Sequence, residues 1–257
     1  MNLSVVRKCA SSQAPLVGGT KTDALQLALV GLGAVSIFFA AVPELDLIVS
    51  RLFWSPAEGF ALSDNSLLLQ LRDTGRLLPW LVISLVLILL IVPRLYDLRP
   101  GVPPPHKLLF VLIFFALGPG LMTHAVKTLV GRARPRDIAE FGGMGAFTPP
   151  WDLSDQCLRN CSFISGESSS ALALLTLIVL LPRSYRRIYL SLMGLFAAAI
   201  SFNRVVFGAH FFSDVVLAWN VMTVVALVLW RWTSVNSLYI DALFLRRKQP
   251  SSSSEET

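Results

Sequence analysis

Charge is scarce in this sequence. Only 15% of its 257 residues are charged, against 54% that are hydrophobic, and the mean hydropathy is +0.64. A soluble domain of ordinary composition carries about 25% charged residues, so that class is excluded. No internal repeat is visible. A small-residue cleavage site is also missing after the first apolar run, and more such runs follow, so the first reads as a retained helix and not as a signal peptide.

What is present is a series of six apolar stretches, at residues 24–42, 77–92, 108–126, 164–181, 188–207 and 212–230. Crossing a hydrocarbon core takes about 17 to 25 apolar residues in helical form. A lipid-embedded backbone must satisfy its own hydrogen bonds, so each stretch is expected to be a helix. The expected fold is all-α: a polytopic membrane protein with six transmembrane helices over residues 24–232. A cytoplasmic tail is expected at 1–23 and another at 233–257, both polar at their ends.

The net charge of +6 is compatible with nucleic-acid binding, but its distribution has a better explanation. Arg7, Lys8 and Lys21 precede the first span. Arg94, Arg99 and Lys107 join the second to the third. Arg183, Arg186 and Arg187 join the fourth to the fifth, and Arg231, Arg246, Arg247 and Lys248 follow the sixth. All of these fall on one side, so both termini are expected in the cytoplasm. Against that bias, Lys127, Arg132, Arg134, Arg136 and Arg159 crowd one outward segment. A local violation of the rule calls for a local reason.

Other outward segments are less pointed. In "ELDLIVSRLF", Leu45, Ile48, Val49, Leu52 and Phe53 recur at helical spacing, which predicts a short connector helix on the membrane surface with Trp54 at headgroup level. Residues 131–162 are rich in Gly and Pro and contain "GGMGAF" and "TPPWD", an irregular loop able to cover something. Cys157 and Cys161 lie in it. Outside the cytoplasm two such thiols can pair, and sequence alone leaves that open. Cys9 has no assigned role.

Three constellations fall at span ends on the outward side. The first is Lys127 with Arg134-Pro135: a point charge and a bidentate fork are the parts of a phosphate clamp, though snorkelling cations look the same. The second is "CSFISGESSSA", where Ser162 or Ser165 can cap a helix and Gly166 lets a bound anion approach backbone N–H groups. Capping and helix packing are the plain alternative. The third is "NRVVFGAHFFSDVV". Arg204 ends one span, and His210 and Asp214, four apart, share a helix face, where a carboxylate can fix the tautomer of an imidazole.

Together "KTLVGRARP", "ISGE" and "NRVVFGAHFFSD" resemble the three motifs of the type 2 phosphatidic acid phosphatase superfamily, K-x6-R-P, P-S-G-H and S-R-x5-H-x3-D. The resemblance extends to the six-helix plan. It implies a metal-independent phosphatase without cofactor that works through a phosphohistidine. By position, His210 is the nucleophile and Asp214 its orienting partner. Lys127, Arg134 and Arg204 bind phosphoryl oxygens, with Ser165 and the Gly166 N–H completing the cradle. In-line phosphoryl transfer is mainly positioning and stabilisation of charge on the equatorial oxygens, which suits that set. Arg132 and Arg136 are not motif positions; a second anionic group or the membrane surface are their two readings.

Two departures stand out. Asn203 replaces a Ser and keeps a hydrogen-bonding side chain. Glu167 stands where the family has the His that protonates the leaving alkoxide. An ionised Glu repels phosphate, and nearby Lys and Arg favour that form. Three routes remain open: Glu167 takes a proton in the complex and serves as the acid, it turns to an amine or sugar hydroxyl of the substrate, or His124, three residues before Lys127, supplies the proton. Impaired chemistry, with binding alone, is the fourth outcome.

The "SGE" variant is similar to a bacterial branch that includes lipid A 4'-phosphatase-like proteins, and a sugar phosphate has a better leaving group than an alkyl phosphate. The expected function is thus hydrolysis of lipid A or a related saccharolipid phosphate by a bacterial inner-membrane protein whose site opens to the periplasm. Phosphatidylglycerol phosphate, undecaprenyl pyrophosphate and phosphotransfer to another lipid are alternatives in the same class. The partners expected are the lipid phosphate and membrane lipids, not nucleic acid. A non-hydrolytic lipid transporter is the alternative from a different class; it should carry polar or broken helices near the bilayer midplane, whereas the charges here gather at span ends.

Overall fold

The computed structural model describes residues 23–96 and 101–244, with the side chains of 94–96 excepted. Arg7, Lys8, Cys9, Lys21, Arg99, Arg246, Arg247 and Lys248 lie outside the described residues, as does the side chain of Arg94.

Helix α1 spans Ala24–Ala41 and starts where Asp23 Oδ1 accepts the Leu25 N–H at 3.2 Å while Gln26 returns a bond to the Asp23 N–H. These reciprocal bonds satisfy donors that a helix start leaves free. The short α2, Glu44–Arg51, follows. Helix α3, Ser66–Tyr96, begins well before the expected residue 77 because Asn65 Oδ1 accepts from the N–H groups of Leu67 and Leu68. Arg72 and Arg76 are therefore helical.

Helix α4, Pro105–Phe115, runs through a π turn over Ala116–Met122 into α5, Thr123–Val130. Pro119 inside that turn has no N–H to give and its ring crowds the preceding carbonyls, which accounts for the local widening. Helix α5 stops at Gly131, whose φ of 63° is left-handed, a conformation that costs glycine little.

The remaining helices are α6, Gly166–Leu175, continued by a tight turn over Thr176–Leu180; α7, Arg186–Val206; α8, Phe212–Val235; and α9, Ser237–Phe244. Among the described residues five helices are long and apolar enough to cross a membrane, and the sixth expected span is the shorter apolar helix Gly166–Leu180. All-α, multi-pass architecture is as expected. Helix α8 runs past residue 232 to Val235, and α9 packs against α4 and α8.

Helix α6 sits centrally, against α3, α4, α7 and α8. Its Ser168, Ser169, Ala171 and Ala173 are buried, and small residues let helices approach closely where lipid supplies no hydrophobic drive between them. Leu108, Val111, Phe114, Leu217 and Met222 fill the adjoining core. At one end of the bundle Asp23 pairs with Arg231, and Asp241 of α9 accepts the His106 N–H at 2.8 Å. The three constellations lie at the other end.

Candidate active site

The third constellation forms the floor. Arg204, in the last turn of α7, His210 in the connecting turn and Asp214 in the first turn of α8 are all buried. The Arg204 carbonyl accepts from the N–H of Ala209 at 3.1 Å and of His210 at 3.2 Å, which folds the turn back beneath the guanidinium. Asp214 Oδ2 lies 3.7 Å from His210 Nδ1 and accepts the Phe211 N–H at 2.8 Å. His210 Nε2 therefore points away from Asp214, toward Glu167 Oε2 at 3.5 Å.

The second constellation closes over it. Ser165 caps α6 by accepting from the Ser168 N–H, and its own N–H donates to the Asp214 carbonyl at 3.2 Å. Ser162 does not cap; its hydroxyl donates to Asp214 Oδ2. Gly166 is the first residue of α6, with the Lys127 side chain packed beside it. Glu167 Oε1 lies 2.9 Å from Arg76 Nη2 and 3.4 Å from Arg204 Nη2.

The first constellation forms a wall. Lys127 Nζ donates to the Cys161 carbonyl at 2.6 Å, and Arg134 donates to the Asn160 carbonyl from Nε at 3.1 Å and Nη2 at 2.8 Å. Both cations thus hold the end of the loop that Cys157 and Cys161 close with a disulfide, Cα to Cα 5.5 Å. A cavity of about 530 Å³ meets this wall, lined by Arg76, Lys127, Asn160, Gly166 and Glu167 on its polar side and by Trp80 and Phe115 on its apolar side.

Several expectations change. Arg132 meets neither a second anion nor the membrane surface: it is fully buried, 2.6 Å from Asp214 and 2.8 Å from Asp46, with its guanidinium 4.2 Å from the Phe211 ring centre. Burial of a lone cation is prohibitive, so two carboxylates and an aromatic face surround it. Arg136 is half exposed beside Asp137. Asn203 donates to the Leu68 carbonyl at 2.8 Å and ties α7 to α3. His124 is exposed and lines a separate cavity of about 420 Å³ with Lys127, Arg159 and Asn160. Glu167 has not turned away; it faces His210.

Two residues were missed from the sequence. Asp46, on α2, accepts the Ser213 N–H at 2.8 Å and the Ser213 hydroxyl at 2.5 Å, besides holding Arg132. Its signal was a carboxylate set between Leu45 and Leu47 on a short helix. Arg76 directly precedes the second expected span, and nothing in its local sequence distinguished it.

Chemically the cluster offers groups that an anion can match. Arg204 Nε and Nη1 and both ring nitrogens of His210 are buried without a hydrogen-bond partner among the described residues. Such groups are costly to leave unmatched unless a ligand matches them.

Comparison with known proteins agrees. The PAP2 superfamily profile matches residues 107–237, about half the chain, including all three constellations. A lipid A 4'-phosphatase of Rhizobium leguminosarum is 31% identical over 201 residues, 72% of this chain and 86% of that protein. Another, from Francisella tularensis subsp. novicida, is 31% identical over 70% of this chain and 82% of its own. In fold, the chain is similar to a PAP2-type phosphatidylglycerolphosphate phosphatase of Bacillus subtilis, with a TM-score of 0.54 at 17% identity, over 88% of this chain and 98% of the other. A buried Arg-His-Asp floor, a Ser-capped helix and a Lys-Arg wall on one multi-pass bundle, with relatives of this closeness, place the chain in the PAP2 superfamily.

Proposed function

We propose that this membrane lipid phosphatase hydrolyses a phosphomonoester on a saccharolipid of the lipid A class, at the periplasmic face of a bacterial inner membrane, through a phosphohistidine on His210. The observation that carries this reading is the buried cluster at Glu167, where Arg204 Nη2 and His210 Nε2 approach the carboxylate while Arg204 Nε and Nη1 have no hydrogen-bond partner among the described residues. Two relatives named as lipid A 4'-phosphatases support the substrate class. The cations gathered at the opposite end of the spans support cytoplasmic termini and an outward site.

Neutral His210, with its proton on Nδ1 toward Asp214, presents the Nε2 lone pair to phosphorus. As the N–P bond forms, the bond to the sugar oxygen breaks and Glu167 gives that oxygen its proton. Glu167 acquires the proton as the phosphate enters, because the added negative charge favours the neutral carboxyl and a phosphomonoester with a second pKa near 6 carries one in. Arg204, Lys127 and Arg134 neutralise the equatorial oxygens; the Asn160 and Cys161 carbonyls yield two of them. The Ser165 hydroxyl and the Gly166 N–H complete the cradle.

In the second step Glu167 takes a proton from water, whose oxygen attacks phosphorus as the N–P bond breaks. Inorganic phosphate and free His210 result. Glu167 is a better donor than His124, which lines the other cavity. Three protein cations do the electrostatic work at phosphorus, so turnover needs no added metal.

The test is phosphate release from lipid A by purified protein in detergent with EDTA present. Label from lipid A carrying 32P should appear on the wild-type chain as an alkali-stable, acid-labile adduct. His210→Ala should lose both adduct and turnover; turnover at the wild-type rate in that variant would sink the mechanism.

A further inference from the structure

Arg76 belongs to none of the three constellations, yet it reaches the reaction cavity. It rises from α3 beside Gly75, where an added Cβ would come within 3.0 Å of the Ile200 side chain on α7. Both Gly75 and Arg76 line the cavity of about 530 Å³. Its Nη2 lies 2.9 Å from Glu167 Oε1, while Glu167 Oε2 faces His210 Nε2 at 3.5 Å. Arg204 approaches the same Oε1, at 3.4 Å.

We propose that Arg76 is the positioning residue of a paired acid: it holds Glu167 Oε1, so that Oε2 is left free to carry the proton to the leaving group. This rests on the reading of Glu167 as the acid. A carboxyl group has two equivalent oxygens, and the one already accepting from a guanidinium is the poorer place for a proton. When a phosphoryl group engages Arg204, Arg76 alone continues to fix Oε1. Without it the carboxyl rotates, and the protonated oxygen is aligned with the leaving group only part of the time.

The pair also explains how Glu occupies a position where an imidazole would be expected. An imidazolium at 167 would face the Arg76 guanidinium at hydrogen-bond distance, a like-charge contact that favours loss of its proton. An imidazolium donor needs a carboxylate beside it instead. The identities at 76 and 167 are therefore coupled: Arg with Glu, or Asp with His.

The experiment compares Arg76→Gln, Glu167→His and the double variant Arg76→Asp/Glu167→His, in the purified full chain. The substrates are lipid A and 4-nitrophenyl phosphate in mixed micelles; nitrophenolate leaves without a proton. On lipid A, Arg76→Gln should lower kcat by about 10- to 100-fold, the range of a misdirected general acid, with KM within about 3-fold. On 4-nitrophenyl phosphate the loss should be under about 3-fold. Glu167→His should be poor on lipid A, and adding Arg76→Asp should restore at least about 10-fold. Equal loss on both substrates would make Arg76 a phosphate ligand or a structural group and overturn the proposal. So would a rise in KM at unchanged kcat, or a double variant no better than Glu167→His. Full activity in His210→Ala would instead overturn the phosphohistidine reading, and the two failures are read from different variants.

Discussion

Arg132 Nη1 lies 2.6 Å from Asp214 Oδ1, both side chains fully buried, and Asp46 holds the other arm of the same guanidinium at 2.8 Å. A helix between the first two spans is thereby tied to the carboxylate that faces His210. Breaking a buried pair by removing one partner costs about 3–5 kcal/mol, because the survivor remains buried and unmatched. Arg132→Gln should lower stability by that order, read as a large fall in the thermal unfolding midpoint in detergent. Asp46→Asn leaves Arg132 and Asp214 in balance and should be milder. It should still lower kcat, by about 10- to 100-fold, since Asp214 loses its fixed bearing on His210. Unchanged kcat in Asp46→Asn would reduce α2 to packing.

Burial holds the His210 imidazole below its usual value, and Lys127 adds to this, while Asp214 and Glu167 oppose it. The net direction is down. A lowered value keeps the ring neutral, hence nucleophilic, into more acid solution. Ring 15N spectra of selectively labelled protein should show His210 titrating below the free-histidine value near 6.5. With three histidines in the chain, His106→Gln and His124→Gln complete the assignment. A midpoint above 6.5 would mean that the two carboxylates dominate.

How far the sequence reached follows from what each signal depends on. Apolar length exposed the spans, because it reports on lipid and not on neighbours. The three constellations were legible because each is short and carries its own spacing. Position 132 was opaque: an Arg two residues before Arg134 looks like another surface cation until Asp46 and Asp214 arrive from elsewhere in the chain. Helix α2 misled in a different way. Its apolar residues suggested the membrane-facing side, and Ile48 is indeed exposed, but Asp46 and Ser50, one turn apart, form the buried face. Hydrophobic periodicity says which face avoids water; beneath a polar site the inward face is the polar one. The early start of α3 was hidden because Arg72 and Arg76 lower its hydropathy, although Asn65 marked the cap.

The loop closed by Cys157 and Cys161 presents its last carbonyls to Arg134 and Lys127. On the mechanism proposed above, the loop positions those cations until they turn to the phosphate. Cys157→Ser with Cys161→Ser frees the loop, so the cations lose their bearing before substrate arrives. KM should rise by about 3- to 10-fold with kcat within about 2-fold, the pattern of lost ground-state positioning. A fall in kcat at constant KM would instead connect the loop to the transition state.

Gly131 ends α5 four residues after Lys127, its N–H donating to the Lys127 carbonyl at 3.2 Å. Two costs attach to a side chain there. The φ of 63° is left-handed, and a Cβ would come 2.0 Å from the Ser154 carbonyl oxygen, which belongs to backbone and cannot swing aside. Gly142 separates the two costs, since its φ of 87° is also left-handed but open space surrounds its Cβ position. Gly142→Ala should therefore cost only the strain, about 1–2 kcal/mol. Gly131→Ala should cost clearly more, and because relief of the clash moves the end of α5, it should also raise KM through Lys127. Thermal unfolding of both variants beside their KM values is the measurement. Equal midpoints with normal KM for Gly131→Ala would mean that residues 152–157 yield to the methyl group, and that Lys127 takes its aim from the Cys161 carbonyl alone.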